Sequence, residues 1–388
     1  MAQKSRPARR GPADDRPVTA PDGRVGAGAD ALIREAMTMA DAGDIHGAIG
    51  CLRSRLRSSP DSIEVLGNLG TLEQRLGHYG EAERLFRRIL ALEPEHASSL
   101  QCLANVLVLQ DRHRSATPIY ERLLRLPRPP LSCRTALCRC YLQEGRWSES
   151  AALCDQLLLE APYHAGLISM RDIARHELGE STIGAAEPRA LISTHFLHPA
   201  GGYVSVAALN RELVEHFRGR DDLVENPYDK TTRGGSQSGD LMSSPDACFQ
   251  ALGEAIKGLV QNFLRTCAHE HRGAYWERPV TGPGLTLWGT MLGTGGHQEP
   301  HIHHAAWLSG VYYAQLPDSI HPDDPSMGGW IEFGRPPARY PCKADYPLES
   351  ICPREGMLVL FPSYLFHRTI PLPSGATRVS FAFDVIAN

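Results

Sequence analysis

Two different patterns of apolar residues divide the chain. Between residues 29 and 180, apolar side chains recur every three or four positions, as in the segment Ala82–Leu92, and this spacing predicts amphipathic helices. After residue 189, short apolar runs are separated by glycine and proline, which is typical of strands joined by turns. Strands are predicted at Ala190–Phe196, Leu285–Leu292, Leu308–Leu316, Gly329–Phe333, Gly356–Phe361 and Thr377–Ile386.

The second half also contains two helical segments, Val204–Phe217 and Ala247–Cys267, with a polar, glycine-rich loop predicted between them at Asn226–Gly239. Many short strands at near-regular spacing favour a sandwich or barrel of the cupin-like, jelly-roll kind. The expected fold class is α+β with two domains: an all-α solenoid followed by a double-stranded β-helix. We place a disordered arm at 1–28, the helical domain at 29–180, a linker at 181–188 and the β-helix domain at 189–388.

The helical half is periodic. Gly43, Gly77 and Gly145 fall on one 34-residue grid, and Asp111 occupies its remaining position. Small residues recur five places after and seven places before these positions: Ala48, Ala82, Ala116 and Ser150, and Ala36, Gly70, Ala104 and Cys138. Small side chains let paired helices approach closely, and glycine permits the tight turn between them. The grid resembles the tetratricopeptide repeat and predicts repeats at 29–62, 63–96, 97–130 and 131–164, with a capping unit at 165–180.

Composition and charge exclude several classes of protein. A net charge of −4 does not create the basic field that attracts nucleic acids or membrane surfaces. No apolar run approaches the roughly 20 residues that span a bilayer, and the basic N-terminus lacks the apolar segment of a secretory signal. The ten cysteines do not show the paired spacing of a zinc site. We therefore expect a cytoplasmic protein with reduced thiols and with no nucleic-acid or membrane partner.

A cluster of histidines precedes the strand predicted at Leu308–Leu316. His301, His303 and His304 occupy three of four successive positions. In an extended chain, His301 and His303 point to one side and His304 to the other, and two neutral imidazoles on one side can bind the same metal ion. His367 lies 64 residues after His303, and a double-stranded β-helix can bring such distant strands together. We therefore predict a metal site at His301, His303 and His367.

Arg378 and Ser380 follow His367 by 11 and 13 residues. Alternation along a strand places their side chains on one face and those of Val379 and Phe381 on the other. A buried guanidinium requires a partner, and a carboxylate binds it best because two parallel hydrogen bonds can form. A dicarboxylic co-substrate that chelates the metal at one end would present its far carboxylate to Arg378 and Ser380.

Four motifs together resemble a known family. They are W-x-x-M-L from Trp288, P-H-I-H-x-x-x-W-L-S-G-V-Y-Y at 300–313, E-G-x-L-V-L-F-P-S-x-x-x-H at 355–367 and R-V-S-F-A-F-D at 378–384. Residues 189–388 thereby resemble the 2-oxoglutarate/Fe(II)-dependent oxygenases, in particular a bacterial branch fused to tetratricopeptide repeats. The resemblance implies that the three histidines hold Fe(II). It also implies that Arg378, helped by Ser380, binds the distal carboxylate of 2-oxoglutarate, and that Tyr312 or Tyr313 lines the same pocket.

One position departs from the pattern of the family. Most such oxygenases have Asp or Glu where this chain has His303, and three histidines bring no negative charge to the metal. An alternative is the H-x-E sequence formed by His297 and Glu299, which would then be ligands while the later histidines lie further out. A third possibility leaves His301 and His367 as the only protein ligands.

The resemblance implies a 2-oxoglutarate- and Fe(II)-dependent dioxygenase that converts its co-substrate to succinate and hydroxylates a second molecule. A stack of helical repeats offers a concave surface for docking, so the expected substrate is a protein or peptide presented by the repeat domain. One alternative is a non-catalytic repeat scaffold with a degenerate metal-binding β-domain. Another is a cupin-like metal enzyme that does not use 2-oxoglutarate.

Overall fold

The computed structural model describes residues 27–180, 187–199, 201–227, 230–267, 275, 284–373, 375 and 377–386. No helix within these ranges combines the length and the hydropathy needed to cross a membrane. The chain forms two compact units, Met1–Glu144 and Gly145–Asn388. The predicted repeat domain at 29–180 therefore extends into the second unit. The predicted arm at 1–28 and linker at 181–188 lie almost entirely outside the described residues, and both stay predictions.

The described part of the first unit consists of helices that follow the predicted repeats. Gly43, Gly77 and Asp111 have φ angles of 98°, 78° and 58°, and each lies in the turn between the two helices of a pair. This left-handed conformation favours glycine, which is the physical reason for the grid. The helices are α1 Ala27–Asp41, α2 Ile45–Ser58, α3 Ile63–Arg75, α4 Tyr79–Leu92, α5 Ala97–Leu109, α6 His113–Leu124 and α7 Leu131–Glu144.

The small residues of the grid lie where paired helices touch. Ala48, Ala82 and Ala116 are fully buried. At Gly70, a Cβ atom would come within 2.8 Å of the Phe86 ring, so any larger side chain would push α3 away from α4. The prediction of helical repeats that resemble the tetratricopeptide repeat is confirmed.

The second unit contains both helices and strands. Its helices are α8 Trp147–Glu160, α9 Ala165–Glu177, α10 Val206–Arg218 and α11 Ala247–Cys267. Its strands are β1 Ser193–Phe196, β2 Val224–Glu225, β3 Thr232–Gln237, β4 Gly284–His301, β5 Leu308–Gln315, β6 Ile331–Phe333, β7 Glu349–Ile351, β8 Met357–Pro362, β9 His367–Thr369 and β10 Arg378–Ile386.

Among the described residues all the strand pairs are antiparallel, and eight strands follow the order β1-β8-β5-β10-β4-β9-β6-β7. The remaining two strands form a ribbon in which β2 pairs with β3 and β3 pairs with β4. The prediction of a loop over Asn226–Gly239 is wrong for Thr232–Gln237, because these residues form β3. Gly235 permits the pairing, since a Cβ atom there would collide with the main-chain oxygen of Met291.

The sheet separates two apolar cores. One face of β5, β8 and β10 packs against α10 and α11, with a core that includes Leu213, Phe217, Phe249, Leu308, Tyr312, Leu360, Phe381 and Phe383. The opposite face of β5 and β8 packs against β6 and β7, around Val311, Tyr313, Ile331, Phe333, Ile351, Val359 and Phe361. Because β6 is connected to β5 only through β10, β4 and β9 along the sheet, the sheet must curl back on itself. The inner face of this curled sheet carries the site.

Helix α9 belongs to the same compact unit as the sheet. The Glu177 carboxylate at its C-terminal end accepts hydrogen bonds from the backbone amide of Lys343, at 2.9 Å, and from the Tyr346 hydroxyl, at 3.0 Å. Ala165 and Ile168 at its other end join the inner core. These contacts group the last repeat helix with the sheet.

Candidate metal centre

The three histidines predicted from sequence lie together on the inner face, where β4 ends and β9 begins. His301, the last residue of β4, is directly opposite His367, the first residue of β9. The ring centroids are 4.3 Å apart for His301 and His367, 5.0 Å for His303 and His367, and 5.2 Å for His301 and His303. One nitrogen from each ring can be chosen so that all three lie within 4.8 Å of one another. Strand pairing thus joins residues that are distant in the sequence.

Hydrogen bonds fix the same tautomer in all three rings. The Nδ1 atom of His301 is 2.7 Å from the carbonyl oxygen of Glu299, and that of His367 is 3.0 Å from the carbonyl oxygen of Leu365. The Nδ1 atom of His303 is 2.6 Å from Oδ1 of Asp384. Because carbonyl and carboxylate oxygens only accept, each Nδ1 carries the proton and donates. The lone pair of each neutral ring is therefore on Nε2, which is the atom that can bind a cation.

Burial keeps the inner two rings neutral. It lowers the pKa of His301 to about 3, with the neighbouring His303 as the second cause. It also lowers the pKa of His367 well below the ordinary value, and His301 adds to this effect. A metal ion binds only the neutral imidazole, so neither ring must lose a proton before binding at neutral pH.

Asp384 is a site residue that the sequence analysis did not identify. Its Oδ1 atom accepts hydrogen bonds from Nδ1 of His303 and from the Ser309 hydroxyl, each at 2.6 Å. The signal was present in β10, because Asp384 lies on the same side of the strand as Arg378 and Ser380 and closes the R-V-S-F-A-F-D motif. Alternation along the strand could therefore have placed it on the inner face.

The alternative ligands His297 and Glu299 are not part of this cluster. Glu299 is half exposed and its carboxylate is 3.4 Å from the guanidinium of Arg233, while Nδ1 of His297 donates to the carbonyl oxygen of Gly295. A β-bulge between Gln298 and His301 explains the difference. An extra residue in β4 breaks the alternation there, so Glu299 does not follow His301 onto the inner face.

Arg378 is buried on the inner face of β10, with 1% of its surface exposed. Its Nη1 atom donates to the carbonyl oxygen of Gly329 at 2.9 Å and to the hydroxyl of Thr369 at 3.3 Å, and its guanidinium carbon lies 4.8 Å from the centre of the Tyr313 ring. Burial lowers its pKa. Its Nε atom has no hydrogen-bond partner, and it forms no ion pair with any described residue. A buried guanidinium in this state can bind an anion.

Two further buried polar atoms on this face lack a partner among the described residues. Ser380 is the cross-strand neighbour of Tyr313 on one side and of Thr290 on the other, and neither the Tyr313 hydroxyl nor the Thr290 hydroxyl forms a hydrogen bond with a described residue. Burial raises the pKa of Tyr313 to about 12, so its hydroxyl keeps the proton that it can donate. Buried polar groups are rarely left unpaired. The unpaired atoms and Arg378 therefore form a cradle that suits an anion with several acceptor atoms.

Tyr312 does not belong to this cradle. Its side chain lies on the other face of β5, in the core formed with α10 and α11, and its hydroxyl donates to Oδ1 of Asn210 at 2.5 Å. The expectation of a tyrosine in the pocket applies to Tyr313 alone. The physical reason is the alternation of neighbouring side chains along a strand.

Two family models match the chain. The model described as "Putative 2OG-Fe(II) oxygenase" matches residues 286–384, a range that contains the three histidines, Arg378 and Asp384. The second unit of this chain therefore contains a segment similar to the 2OG-Fe(II) oxygenase family. The model described as "Anaphase-promoting complex, cyclosome, subunit 3" matches residues 75–156, within the tetratricopeptide-like repeats that precede the oxygenase domain.

The regions that match this chain cover only part of each curated relative. Tetratricopeptide repeat protein 8 of Caenorhabditis elegans is 22% identical over 177 residues, which is 44% of this chain and 33% of that protein. The probable biofilm formation methyltransferase WspC of Pseudomonas aeruginosa is 32% identical over 114 residues, or 29% of this chain and 25% of that protein. This chain thus spans about a third of the length of the first relative and a quarter of the second.

Two solved structures show a weak similarity to parts of this chain. The match to a crystal structure of MamA protein covers 39% of this chain and 82% of the MamA chain, at 17% identity and a TM-score of 0.37. A prolyl-4-hydroxylase of Pseudomonas putida covers 51% of this chain and 92% of its own, at 19% identity and a TM-score of 0.36. At these scores the similarities to solved structures carry no further argument.

Proposed function

We propose that the second unit is a 2-oxoglutarate- and Fe(II)-dependent dioxygenase, with His301, His303 and His367 as the iron ligands and Arg378 as the anchor of the co-substrate. The observation that carries the proposal is the pairing of two sites on one inner face. Three histidines bring one nitrogen each within 4.8 Å of one another at one end of this face, and the buried guanidinium of Arg378, whose Nε has no hydrogen-bond partner among the described residues, lies further inside.

The residues of the chain fit both groups. Neutral imidazoles suit Fe(II), and burial already keeps His301 and His367 neutral. The unpaired Nε of Arg378 and the unpaired hydroxyls of Tyr313 and Thr290 can donate to a carboxylate. Ser380 lies between Tyr313 and Thr290 in the sheet and adds a hydroxyl to the same cradle.

Strand β9 connects the histidine triad with Arg378. Thr369 lies two residues after His367, and its hydroxyl accepts a hydrogen bond from Arg378 and donates one to Gln298. Two residues of a strand span about 7 Å. The spacing supports a short diacid that reaches from the metal to the guanidinium, as 2-oxoglutarate would.

When bound together, Fe(II) and 2-oxoglutarate supply an oxidation in which O₂ and the co-substrate become succinate and CO₂ while a C–H group of the substrate becomes C–OH. The contribution of the chain is to orient the co-substrate through Arg378 and to keep water out. The inner core around Val311, Phe333 and Phe361 closes the interior of the sheet behind the histidines. A dry site strengthens the contact between the guanidinium and a carboxylate.

The substrate proposed here is a protein or peptide in the cytoplasm. The support is the tetratricopeptide-like repeat region, because modules of this kind generally bind polypeptides. His303 of the triad and the neighbouring Trp288 are partly exposed, and an extended polypeptide could approach the site there.

The test is co-substrate binding and turnover by the full chain. We expect 2-oxoglutarate to bind in the presence of Fe(II) under anaerobic conditions, and to yield succinate once O₂ is admitted. His301→Ala and His367→Ala should abolish both, while Glu299→Gln, which changes a nearby carboxylate outside the cluster, should leave both intact. Failure of the wild-type chain to bind a divalent metal would favour the non-catalytic scaffold. Metal binding without any affinity for 2-oxoglutarate would favour a cupin-like enzyme of another kind.

A further inference from the structure

We propose that Asp384 is a positioning residue of the metal centre: through its hydrogen bond to His303 it supplies the negative charge that a carboxylate ligand would otherwise bring. This inference rests on the proposed function, because it assumes that His303 binds the metal. It assigns a role to a residue outside the ligand set and gives three neutral histidines a negative charge that none of them carries.

The contact between the two residues is short and sheltered. The Nδ1 atom of His303 and Oδ1 of Asp384 are 2.6 Å apart, and the side chains are 11% and 17% exposed. A charge-assisted hydrogen bond of this length is among the strong ones. Because Nδ1 donates to the carboxylate, Nε2 of His303 is the atom left to bind the metal.

Three segments of the chain hold this pair in place. The Ser309 hydroxyl on β5 donates to Asp384 at 2.6 Å and is 2.8 Å from the hydroxyl of Ser363. The main-chain oxygen of Ser363 in turn accepts from the backbone amide of His303 at 3.0 Å. The carboxylate and the imidazole are therefore fixed relative to each other by β5, β10 and the turn after β8.

The charge of Asp384 is directed to only one of the three rings. His301 and His367 donate their Nδ1 protons to carbonyl oxygens, which are neutral. His303 is the one ring of the triad with an anionic acceptor. A carboxylate on the far nitrogen of a ligating histidine fixes its orientation and raises its basicity, so the anionic character is concentrated at His303.

The first experiment measures Co(II) binding by the full chain, using the absorption of the bound ion. Asp384→Asn keeps the shape of the side chain and removes its charge, and we expect Co(II) to bind about 10–100-fold more weakly. Glu299→Gln is the matched control, because it removes one negative charge near the triad and keeps the main-chain oxygen that accepts from His301, and its affinity should equal that of the wild type. Equal affinity for Asp384→Asn and Glu299→Gln would overturn the inference.

A second background tests whether Asp384 acts through His303. In His303→Asp no imidazole remains for Asp384 to orient or to charge by its hydrogen bond. Adding Asp384→Asn to His303→Asp should therefore weaken Co(II) binding by much less than the same change weakens it in the wild type. If Asp384→Asn weakens binding equally in both backgrounds, Asp384 does not act through His303 and the inference is wrong.

Folding and the proposed function are checked separately. Thermal unfolding without metal shows whether each variant folds. If Asp384→Asn does not fold, Ser309→Ala replaces it, because this variant removes a hydrogen bond to the same carboxylate. Ser309→Ala should weaken Co(II) binding by about threefold or more, and unchanged binding would overturn the inference. A wild-type chain that binds no Co(II) overturns the proposed function together with the inference. A wild-type chain that binds both Co(II) and 2-oxoglutarate, beside an unaffected Asp384→Asn, overturns the inference alone.

Discussion

Tyr312 and Tyr313 are adjacent in the chain and lie on opposite faces of β5. The hydroxyl of Tyr312 donates to Asn210 in the core beneath α10, whereas the hydroxyl of Tyr313 is buried on the inner face beside Arg378 without a partner. The Tyr312 hydroxyl is thus hydrogen-bonded within the fold, whereas the Tyr313 hydroxyl can donate to a ligand.

Replacing each tyrosine by phenylalanine should separate binding from stability. Tyr313→Phe removes a donor that the fold does not use, so the free energy of unfolding should not fall, while the Kd for 2-oxoglutarate should rise by about 3–10-fold. Tyr312→Phe leaves Asn210 unpaired, so the protein should lose about 1–3 kcal/mol of stability with little change in Kd. Denaturant unfolding and titration calorimetry measure the two quantities. A loss of 2-oxoglutarate affinity confined to Tyr312→Phe would contradict the assignment of the cradle.

The guanidinium geometry of Arg378 should matter more than its charge. Arg378→Lys keeps a cation on the inner face but loses the paired donors, and we expect the Kd for 2-oxoglutarate to rise by about 10–100-fold. Arg368→Lys is the matched control, because Glu332 holds Arg368 outside the cradle through contacts of 2.6 and 3.1 Å. Similar effects of the two substitutions would show that co-substrate binding does not depend on the cradle.

Gly310 should tolerate no side chain. A Cβ atom there would lie 2.6 Å from the carbonyl oxygen of Val359 and would collide with the ring of Phe383. Gly310→Ala should therefore destabilise the second unit by about 1–3 kcal/mol. Gly239→Ala, at a position where a Cβ atom would meet nothing within 4 Å, should have no such effect. Denaturant unfolding of both variants checks this, and equal stability would argue against the close packing of β5 on β8 and β10.

Asp172 on α9 should make stability depend on pH. Burial raises the pKa of its carboxyl to about 6, from 3.8 for the free group, although Arg171 lies 3.4 Å away. Since the folded pKa is the higher one, the protonated form favours folding, and this contribution is lost as the pH rises through 6. Asp172→Asn should therefore stabilise the protein by about 1–3 kcal/mol at pH 8, with a smaller gain toward pH 4.

The control for this pH dependence is Asp318→Asn, which removes an exposed carboxylate. Its unfolding free energy should follow that of the wild type at every pH. A gain for Asp172→Asn that did not grow between pH 4 and pH 8 would contradict the burial of a charged carboxylate at this position.

The periodic parts of the fold were predictable from sequence. Glycine at a left-handed turn and alanine at a helix contact are local requirements, so the grid through Gly43 and Gly77 gave the repeats directly. The alternation of β10 likewise predicted that Arg378 and Ser380 share a face, and that Val379 and Phe381 face away from them.

Features that depend on pairing between distant strands were not predictable. The β-bulge that moves Glu299 away from His301 is a property of the β4–β9 pair, and β3 exists because β4 pairs with it. Asp384 acquires its role only when β10 and the turn after β4 bring it to His303. The sequence could identify the chemistry of the ligands but not the bulge that selects among them.

The most direct test of the metal centre is anomalous X-ray diffraction from crystals grown with Fe(II) and 2-oxoglutarate without oxygen. We expect one iron peak bonded to the Nε2 atoms of His301, His303 and His367, with the distal carboxylate of 2-oxoglutarate on the guanidinium of Arg378. An iron peak bonded to Glu299 or His297, or no peak between the three imidazoles, would contradict this assignment.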